Sequence, residues 1–307
     1  MKRVIYIVLL SVVLLLSANS PVNAGYFADR KVAAQQAKYE KNCRKEIAAV
    51  FDKVDKYAKK YDIKGLKSLY SKSFIDNDGY NKDVYFSLVE ETWQTYPDIT
   101  YTTKIKDIKL NGDYATVETE ETAVATSDDL DRKIIGELNS KSNCIYQLQR
   151  FANNWEITGE SVLEEFSTLK YGDARYVNMV LESPKSIGAG QEYTATLKVD
   201  LPSNYVVVSS INQEKIVNPA QKPEENFMKL KEDQTLARIF TANTDNVNEY
   251  NVASIGITAL ENAPNGKVRV YMNGLAFVMS RVNVIPKNNY ARVDKKPEGE
   301  KNEQQTK

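Results

Sequence analysis

Residues 99–125 read ITYTTKIKDIKLNGDYATVETEETAVA, and this stretch decides the class of fold that the chain can adopt. Apolar and polar residues alternate on both sides of Asn111-Gly112, which is the period of a half-buried β-strand. Asn-Gly is a strong signal for a two-residue hairpin turn, because both central positions of that turn favour positive φ. The stretch therefore predicts two antiparallel strands, with Ala115, Val117 and Ala123 on one face of the second strand.

Three helices are predicted before this hairpin. Residues 31–61 predict a long amphipathic helix, because apolar side chains recur at spacings of three and four. Asp62 can cap a short second helix, and a third helix is predicted from Lys82 to Tyr96, where Pro97 ends it. The side chains predicted to face the core from the long helix are Cys43, Ile47, Phe51, Val54, Ala58 and Tyr61.

Strand patterns continue beyond the hairpin. Residues 133–138 and 143–151 have the pattern of strands, and Trp155 and Ile157 are predicted to lie on a further strand. Helices that precede an antiparallel meander are typical of an α+β domain. We therefore predict an α+β domain over residues 25–170.

Short runs in this region carry a resemblance to a known superfamily. The runs are Asp78-Gly79-Tyr80, Thr92-Trp93, Tyr96-Pro97, Ile99-Thr100-Tyr101 and Gly112-Asp113-Tyr114-Ala115-Thr116-Val117. In their order, residues 40–165 resemble the cone-shaped superfamily of nuclear transport factor two and SnoaL-like proteins. The resemblance implies an α+β cone, in which a curved antiparallel sheet wraps around a long helix with an apolar pocket between them.

The same resemblance leaves the activity open. Members of the superfamily include small-molecule isomerases and dehydratases, and also many non-catalytic domains that bind ligands or dimerise. The well-known catalytic members use an Asp, His or Tyr inside the cone. This chain contains no histidine, and no aspartate matches a motif position. The resemblance therefore implies the fold and the pocket, but no catalytic residue.

The second half of the chain loses the helical period. Apolar residues alternate with polar ones over 193–201 and 253–259. Around Asn273-Gly274 the pattern predicts either a hairpin or one long strand with a bulge marked by the glycine. Several strands at this spacing predict an all-β sandwich over residues 171–286 that is immunoglobulin-like in architecture only. Residues 287–307 are mostly polar and charged, and we predict a disordered tail.

The first 24 residues predict export. Lys2 and Arg3 precede an apolar run over 4–16, which is shorter than the roughly 20 residues that span a bilayer. Pro21 and the small residues that follow indicate a signal peptide over 1–24, cleaved between Ala24 and Gly25. An uncleaved anchor is the alternative. We expect a periplasmic, cell-surface or secreted protein with no stable membrane span after cleavage.

Charge and the missing histidine exclude several kinds of function. The chain has 41 basic and 41 acidic residues, so no positive field favours nucleic acid as a partner. The absence of histidine rules out Ser-His and Cys-His nucleophile pairs. Two cysteines alone cannot fill the four positions of a zinc site. We therefore predict no metal and no cofactor.

The two cysteines, Cys43 and Cys144, predict one disulfide. An even number of cysteines in an exported chain favours a bridge, because export leads to an oxidising compartment. Both residues are also predicted to face the core. The alternative is a pair of buried free thiols.

Carboxylates on the second hairpin strand are candidates for acid–base chemistry. Glu118 and Glu120 share a face with Thr116, at a spacing that suits a general acid and base, but that face is predicted to be solvent-exposed. Glu121 falls on the apolar face beside Ala123, and we predict it to be the carboxylate with a raised pKa in a pocket.

An acidic stretch resembles part of a calcium loop. Asp76, Asp78 and Asp83 are close together, but an EF-hand needs glycine at its sixth position and glutamate at its twelfth. Counted from Asp76, Gly79 is fourth and Ser87 is twelfth. A turn that links two elements is therefore the favoured interpretation, with a surface calcium ion as the alternative.

These observations lead to three hypotheses for function. The first is a non-catalytic exported protein, whose cone domain binds a small apolar ligand or forms a homodimer while the sandwich contacts an envelope protein. The second is a small-molecule enzyme of the isomerase or dehydratase kind that uses Glu121. The third is a structural subunit of a surface assembly. Fold alone does not decide between them.

Overall fold

The computed structural model describes residues 22–129, 134–201, 205–220, 225–230, 233–262 and 268–287. In these residues the helices are α1 (Val22–Ala58), α2 (Ile63–Lys67) and α3 (Lys82–Thr95), with a 3-10 turn at Asp173–Tyr176. The strands are β1 (Tyr70–Asp76), β2 (Thr100–Asn111), β3 (Tyr114–Asp129), β4 (Ile134–Phe151), β5 (Asn154–Gly172), β6 (Asn178–Glu182), β7 (Ser186–Gly188), β8 (Glu192–Asp200), β9 (Tyr205–Lys215), β10 (Met228–Lys229), β11 (Thr235–Thr241), β12 (Glu249–Asn262) and β13 (Val268–Ile285).

One ten-stranded sheet runs through both halves of the chain. Its main order is β10-β9-β12-β13-β5-β4-β3-β2, with β1 added beside β5 and β7 added beside β13. A separate three-stranded sheet has the order β11-β8-β6. The predicted hairpin at Asn111-Gly112 is confirmed, because β2 and β3 pair antiparallel from Asn111 opposite Tyr114 onward.

The predicted fold class, an α+β cone followed by a separate all-β sandwich, is wrong. The strands of the second half continue the sheet of the first half, and β13 pairs directly with β5. The sequence indicated only a short strand around Trp155 and Ile157, whereas β5 extends for 19 residues. At about 3.3 Å per residue such a strand is roughly 60 Å long, which is enough to serve two cores.

The two edges of strand β5 differ in their partners. One edge pairs with β4 along most of the strand. On the opposite edge, β1 pairs with β5 up to Asp76 opposite Glu160, and β13 pairs with β5 from Phe166 to Gly172. Among the described residues, no strand pairs with this edge of β5 between Glu160 and Phe166. Side chains fill part of the gap, since Asn77 accepts a hydrogen bond from the Val162 amide (3.2 Å).

The first hydrophobic core lies between the helices and one face of β2 to β5. From α1, Cys43, Ile47, Phe51 and Ala58 are buried, as the helical spacing predicts. Tyr61 instead follows the helix in a positive-φ conformation, and its hydroxyl donates to the Ile99 carbonyl (2.9 Å). The face of the sheet that packs against these helices is called the inward face below.

The second core lies between the three-stranded sheet and the far end of the large sheet. It buries Leu197 from β8, Ile211 from β9, Ile255 from β12 and Val278 from β13. This half has two layers, but one of them is an extension of the sheet of the first half. An independent immunoglobulin-like sandwich is therefore not supported.

Both predicted terminal segments fall mainly outside the described residues. Residues 1–21 of the predicted signal peptide and residues 288–307 of the predicted tail are not described. Within the described residues, α1 runs through the predicted cleavage site at Ala24 and Gly25. In the described part of the chain, no helix combines the length and the apolar character that crossing a membrane requires.

Gly172 ends β5 at a position where no side chain fits. It has φ +55°, and a Cβ atom would lie 2.2 Å from the Asn273 carbonyl oxygen. Its partner across the ladder is Gly274, where a Cβ atom would lie 2.7 Å from the Ala174 amide nitrogen. The two glycines let β5 and β13 approach each other closely where the chain turns into the second half.

Replacing Gly172 with alanine is expected to lower the free energy of unfolding by more than about 3 kcal/mol, because overlap with the backbone adds to the strain of positive φ. Gly112→Ala is the matched control, since Gly112 has φ +60° but no atom near the added Cβ. The control should cost only about 1 kcal/mol. Urea unfolding of both variants measures the difference, and equal losses would contradict the close approach at Gly172.

Candidate functional site

A cavity of about 350 Å³ lies beside the gap on the edge of β5. Its walls come from α3, from the turn after β1, from β5, and from β12 and β13. The apolar part of the wall includes Leu88, Val89 and Val162. The volume is within the range of small-molecule sites. The two halves of the chain together therefore build a space that neither half encloses alone.

Glu160 lies in the wall of this cavity and is 7% exposed. Its Oε2 atom is buried and has no hydrogen-bond partner. Burial raises the pKa of Glu160 to about 8, and the neighbouring charge of Glu121 acts in the same direction. The hydroxyl groups of Tyr85 and Tyr146 only partly offset this rise. At neutral pH the carboxyl group is therefore mostly protonated.

A β-bulge turns Glu160 inward. Opposite β4, Ile157 pairs with Leu148 and Gly159 pairs with Gln147, so Thr158 is an extra residue in β5. An extra residue shifts the alternation by one position and sends the following side chains to the other face. Simple alternation from Ile157 would place Glu160 on the outer face, whereas it lies opposite Tyr146 and is buried.

Glu121, the predicted pocket carboxylate, lies on the inward face of β3. The Thr119 hydroxyl donates to its Oε1 atom (2.9 Å). Burial raises the pKa of Glu121, and the charge of Asp55 raises it further. Hydrogen bonds from Tyr146 and Thr119 lower the pKa of Glu121 and partly offset this rise. Glu121 does not belong to the cavity wall. Its charge raises the pKa of Glu160, which links the two groups electrostatically.

Tyrosine hydroxyls surround these two carboxyl groups. Burial raises the pKa of Tyr70, Tyr85 and Tyr146 well above the ordinary value, with Glu160 adding to the rise. These hydroxyls stay protonated at physiological pH and can donate hydrogen bonds. The rings of Tyr70 and Tyr85 belong to one aromatic cluster and lie 5.8 Å apart between centroids, and the ring of Tyr146 packs against Phe51. The aromatic packing fixes the hydroxyl groups beside Glu160.

A buried ion pair closes the side of the cavity that faces the second half. Arg281 of β13 donates to both carboxylate oxygens of Asp78, at 2.5 Å and 3.0 Å. Asn248 also donates to Asp78 (2.8 Å). Both partners of the ion pair are largely excluded from solvent. Asp78, which the calcium-loop comparison singled out, is therefore a structural partner of Arg281.

The other acidic side chains of the cavity wall have partners too. Asp76 accepts hydrogen bonds from the Asp78 amide (3.0 Å) and the Tyr80 amide (2.8 Å). Glu165 accepts a hydrogen bond from the Tyr250 hydroxyl (2.7 Å). Among the four acidic side chains of the wall, Glu160 is the one with a buried carboxyl oxygen that has no hydrogen-bond partner.

The remaining predicted carboxylates lie elsewhere. Glu118 is exposed on the outer face of β3 with Thr116, and Glu120 forms salt bridges with Lys106 (3.1 Å) and Lys141 (3.2 Å). Asp83 is in the first turn of α3. Within the described residues, no group of three or more acidic, histidine or cysteine side chains is placed to hold a metal ion.

The predicted disulfide between Cys43 and Cys144 is wrong, because both are free, buried thiols. The Cys43 sulfur lies 3.8 Å from Nη1 of Arg150, near the end of β4. Cys144 precedes Arg150 by six residues on that strand, which is about 20 Å along the strand axis. A disulfide needs Cα atoms within about 7 Å of each other. Both cysteines face the core, but they lie too far apart to form a disulfide.

The sequence contained a weak signal for Glu160 and none for the pairing of Arg281. Glu160 follows Gly159, and an isolated glycine in a strand pattern can mark a bulge. No local signal identifies Arg281 as the partner of Asp78, because the two residues are 203 positions apart in the chain.

Comparisons with known proteins match the first part of the chain. One similar solved structure is a conserved protein from Planctomyces limnophilus, with 16% identity over 39% of this chain and 94% of that chain, at a TM-score of 0.34. A second, named for scytalone dehydratase and from Novosphingobium aromaticivorans, has 12% identity over 41% and 86%, at 0.35. A third, from Streptomyces avermitilis and described as NTF2-like, has 10% identity over 40% and 95%, at 0.35.

No protein-family model matches the chain, and no curated protein matches it. The names of the similar structures agree with the resemblance of the N-terminal domain to the superfamily of nuclear transport factor two and SnoaL-like proteins. Identities and TM-scores this low transfer no activity and no site residue to this chain.

The free thiols can be counted directly. Without reductant, both cysteines of the denatured protein should react with Ellman's reagent, because no bridge protects them. In the folded protein both should react slowly, since each is 1% exposed and burial raises the pKa of Cys144. Absence of reactive thiol in the denatured, unreduced protein would show that a bridge forms.

The raised pKa of Glu160 predicts a pH-dependent stability. The folded state keeps the proton up to about pH 8, whereas the unfolded state loses it near pH 4.3. Between these values the folded state binds more protons, so the stability contribution of Glu160 falls as pH rises. It is fully present below the unfolded pKa and is lost as pH passes the folded pKa.

Glu160→Gln should remove this pH dependence, because a neutral amide imitates the protonated acid. From pH 5 to pH 8, the wild-type protein should lose on the order of a few kcal/mol relative to the variant. Urea unfolding at several pH values measures the two slopes. Glu118→Gln, on the exposed face of β3, is the matched control and should follow the wild-type slope. Parallel slopes for wild type and Glu160→Gln would contradict the raised pKa.

Proposed function

We propose that this protein binds a small organic molecule in the cavity beside β5, with Glu160 as the group that recognises a polar atom of the ligand. The carrying observation is Glu160, which lines a cavity of suitable size and has a buried carboxyl oxygen without a hydrogen-bond partner. A buried polar atom without a hydrogen bond costs about 1–3 kcal/mol. A ligand that supplies the missing hydrogen bond recovers this energy on binding.

The form of the wall supports this proposal. Leu88, Val89 and Val162 offer apolar contact, while Glu160 and the tyrosine hydroxyls offer directed polar contacts. Such a mixture, mostly apolar with a few placed polar groups, is typical of small-molecule sites. The resemblance of the first half to a superfamily with an apolar pocket is compatible with a binding function.

Acid–base catalysis on the bound molecule is a second candidate. Burial raises the pKa of both Glu121 and Glu160, and Tyr146 interacts with both groups. Two coupled carboxyl groups that titrate nearer neutrality are suited to donate and accept protons. Turnover of a bound molecule that Glu121→Gln abolishes, with binding retained, would favour this isomerase-like or dehydratase-like function.

Location and protein partners remain predictions from the sequence. An extracytoplasmic location, an envelope partner and a homodimer have no structural observation that tests them. The binding proposal is argued from the cavity wall and does not depend on them.

Filling the cavity should abolish ligand binding. We expect Leu88→Trp to weaken the binding of small probes at least tenfold, because the indole ring would occupy space beside Glu160. Ligand-observed NMR with cyclohexanol, phenol, choline and 3,3-dimethylbutan-1-ol measures binding to wild type and variant. Leu163→Trp is the matched control, since Leu163 is 40% exposed and does not line the cavity.

Urea unfolding of both tryptophan variants establishes that they are folded. Failure of every probe to bind the wild-type protein would overturn the proposed function. Binding that persists unchanged in folded Leu88→Trp would place the ligand outside the cavity and would also overturn it.

A further inference from the structure

We propose that the ligand of the cavity is an organic cation, a small amine or quaternary ammonium compound whose positive charge lies against the Glu160 carboxylate. This inference rests on the proposed function and names its class of ligand. It depends on three independent features of the cavity wall, namely an unpartnered carboxyl oxygen, an excess of acidic side chains and a set of aromatic rings.

The first feature is the free oxygen of Glu160. The residue is more than nine-tenths buried, lines the cavity, and has no hydrogen-bond partner at Oε2. Buried carboxylates in proteins are normally paired with a cation or with several donors. Glu249 in the second half follows that rule, because it is 1% exposed and accepts hydrogen bonds from Asn243 and Gln213. The Oε2 atom of Glu160 has no such partner within the described residues.

The second feature is the charge of the wall. Four acidic side chains line the cavity (Asp76, Asp78, Glu160 and Glu165), and Arg281 is the one basic side chain among the described residues that line it. Arg281 is already bound to both oxygens of Asp78. A cavity lined by one sign of charge with apolar walls attracts the opposite charge. An anionic ligand would meet repulsion and no free cation.

The third feature is the aromatic lining. Tyr80, Tyr85, Tyr101 and Tyr250 contribute to the wall. The negative faces of aromatic rings attract cations, and aromatic cages are a recurrent means of binding quaternary ammonium groups. Tyr250 already shows this contact, with the guanidinium carbon of Arg281 6.0 Å from its ring centroid. The methyl groups of an ammonium ligand would pack on the remaining rings while its charge meets Glu160.

Binding of a cation requires that Glu160 first release its proton to solvent. Burial raises the pKa of this group to about 8, so affinity for a cation should rise about tenfold per pH unit below that value and then level off. The titratable groups that act on Glu160 from the packed elements are Glu121 of β3, Cys144 and Tyr146 of β4, Tyr85 of α3, and Tyr70 and Asp76 of β1. Burial is the largest cause of the raised pKa of Glu160, and the charges of Glu121 and Asp76 raise it further.

Choline and 3,3-dimethylbutan-1-ol form the decisive pair of probes, because they have the same shape and differ in the positive charge. Isothermal titration of the full chain at pH 6, 7, 8 and 9 measures both affinities. We expect choline to bind at least tenfold more tightly than the neutral alcohol at pH 8. Its affinity should fall by about tenfold for each pH unit below 8, while the affinity of the alcohol stays constant.

Glu160→Gln should remove the preference for choline and its pH dependence, because a neutral amide cannot pair with the charge. The variant should still bind the neutral alcohol, which shows that its cavity is intact. Glu164→Gln is the matched control, since Glu164 is on the same strand but pairs with Lys185 at the surface (2.5 Å). The control should keep the wild-type preference for choline.

The outcomes separate the two proposals. Equal binding of choline and the alcohol at every pH would overturn the cation inference and leave the binding function standing. Choline binding that Glu160→Gln leaves unchanged would also overturn the inference, because the charge would then be recognised elsewhere. Absence of binding by either probe would overturn the cation inference and count against the binding function together.

Discussion

The pairing of β5 with two different strands on the same edge is the constraint on which the rest of the structure depends. β1 covers this edge up to Glu160, and β13 covers it from Phe166 onward. Because a sheet edge with unpaired backbone groups is costly, asparagine side chains fill the interval, with Asn283 donating to the Leu163 carbonyl (2.8 Å). The interval leaves room for a cavity, and the two cores on either side hold its walls in place.

The charged groups at this junction differ in whether they have a partner. Arg281 and Asp78 satisfy each other and join the two halves, and removing one partner of such a buried pair typically costs about 3–5 kcal/mol. Glu160 has no comparable partner and keeps its proton instead, since burial raises its pKa to about 8. A carboxyl group kept in this state destabilises the folded protein above pH 5. Such a cost is characteristic of a site that serves binding or chemistry more than stability.

Local patterns predicted the local structure well. The helical spacing around Ile47, the cap at Asp62 and the turn at Asn111 each depend on neighbours within a few residues, and each is present. The inward position of Glu121 followed from alternation along β3, which has no bulge opposite β4. Glu160 was missed because the bulge at Thr158 shifts the alternation of side chains along β5. The disulfide prediction was wrong because a residue pattern shows that both cysteines face the core, but not how far apart they lie.

The sequence by itself determined the main types of element, several caps and turns between them, and the chemistry that a chain without histidine can perform. These properties depend on the spacing of residues within a segment and on the composition of the chain, and both can be read directly from the sequence. The tertiary structure alone decided that β13 joins β5, that Arg281 meets Asp78 and that Glu160 lines a cavity. The first two contacts join residues more than 80 positions apart in the chain, and the third depends on a one-residue shift of register in β5. Such contacts are selected by the packing of the whole chain, because no local pattern records which edge of a strand remains open.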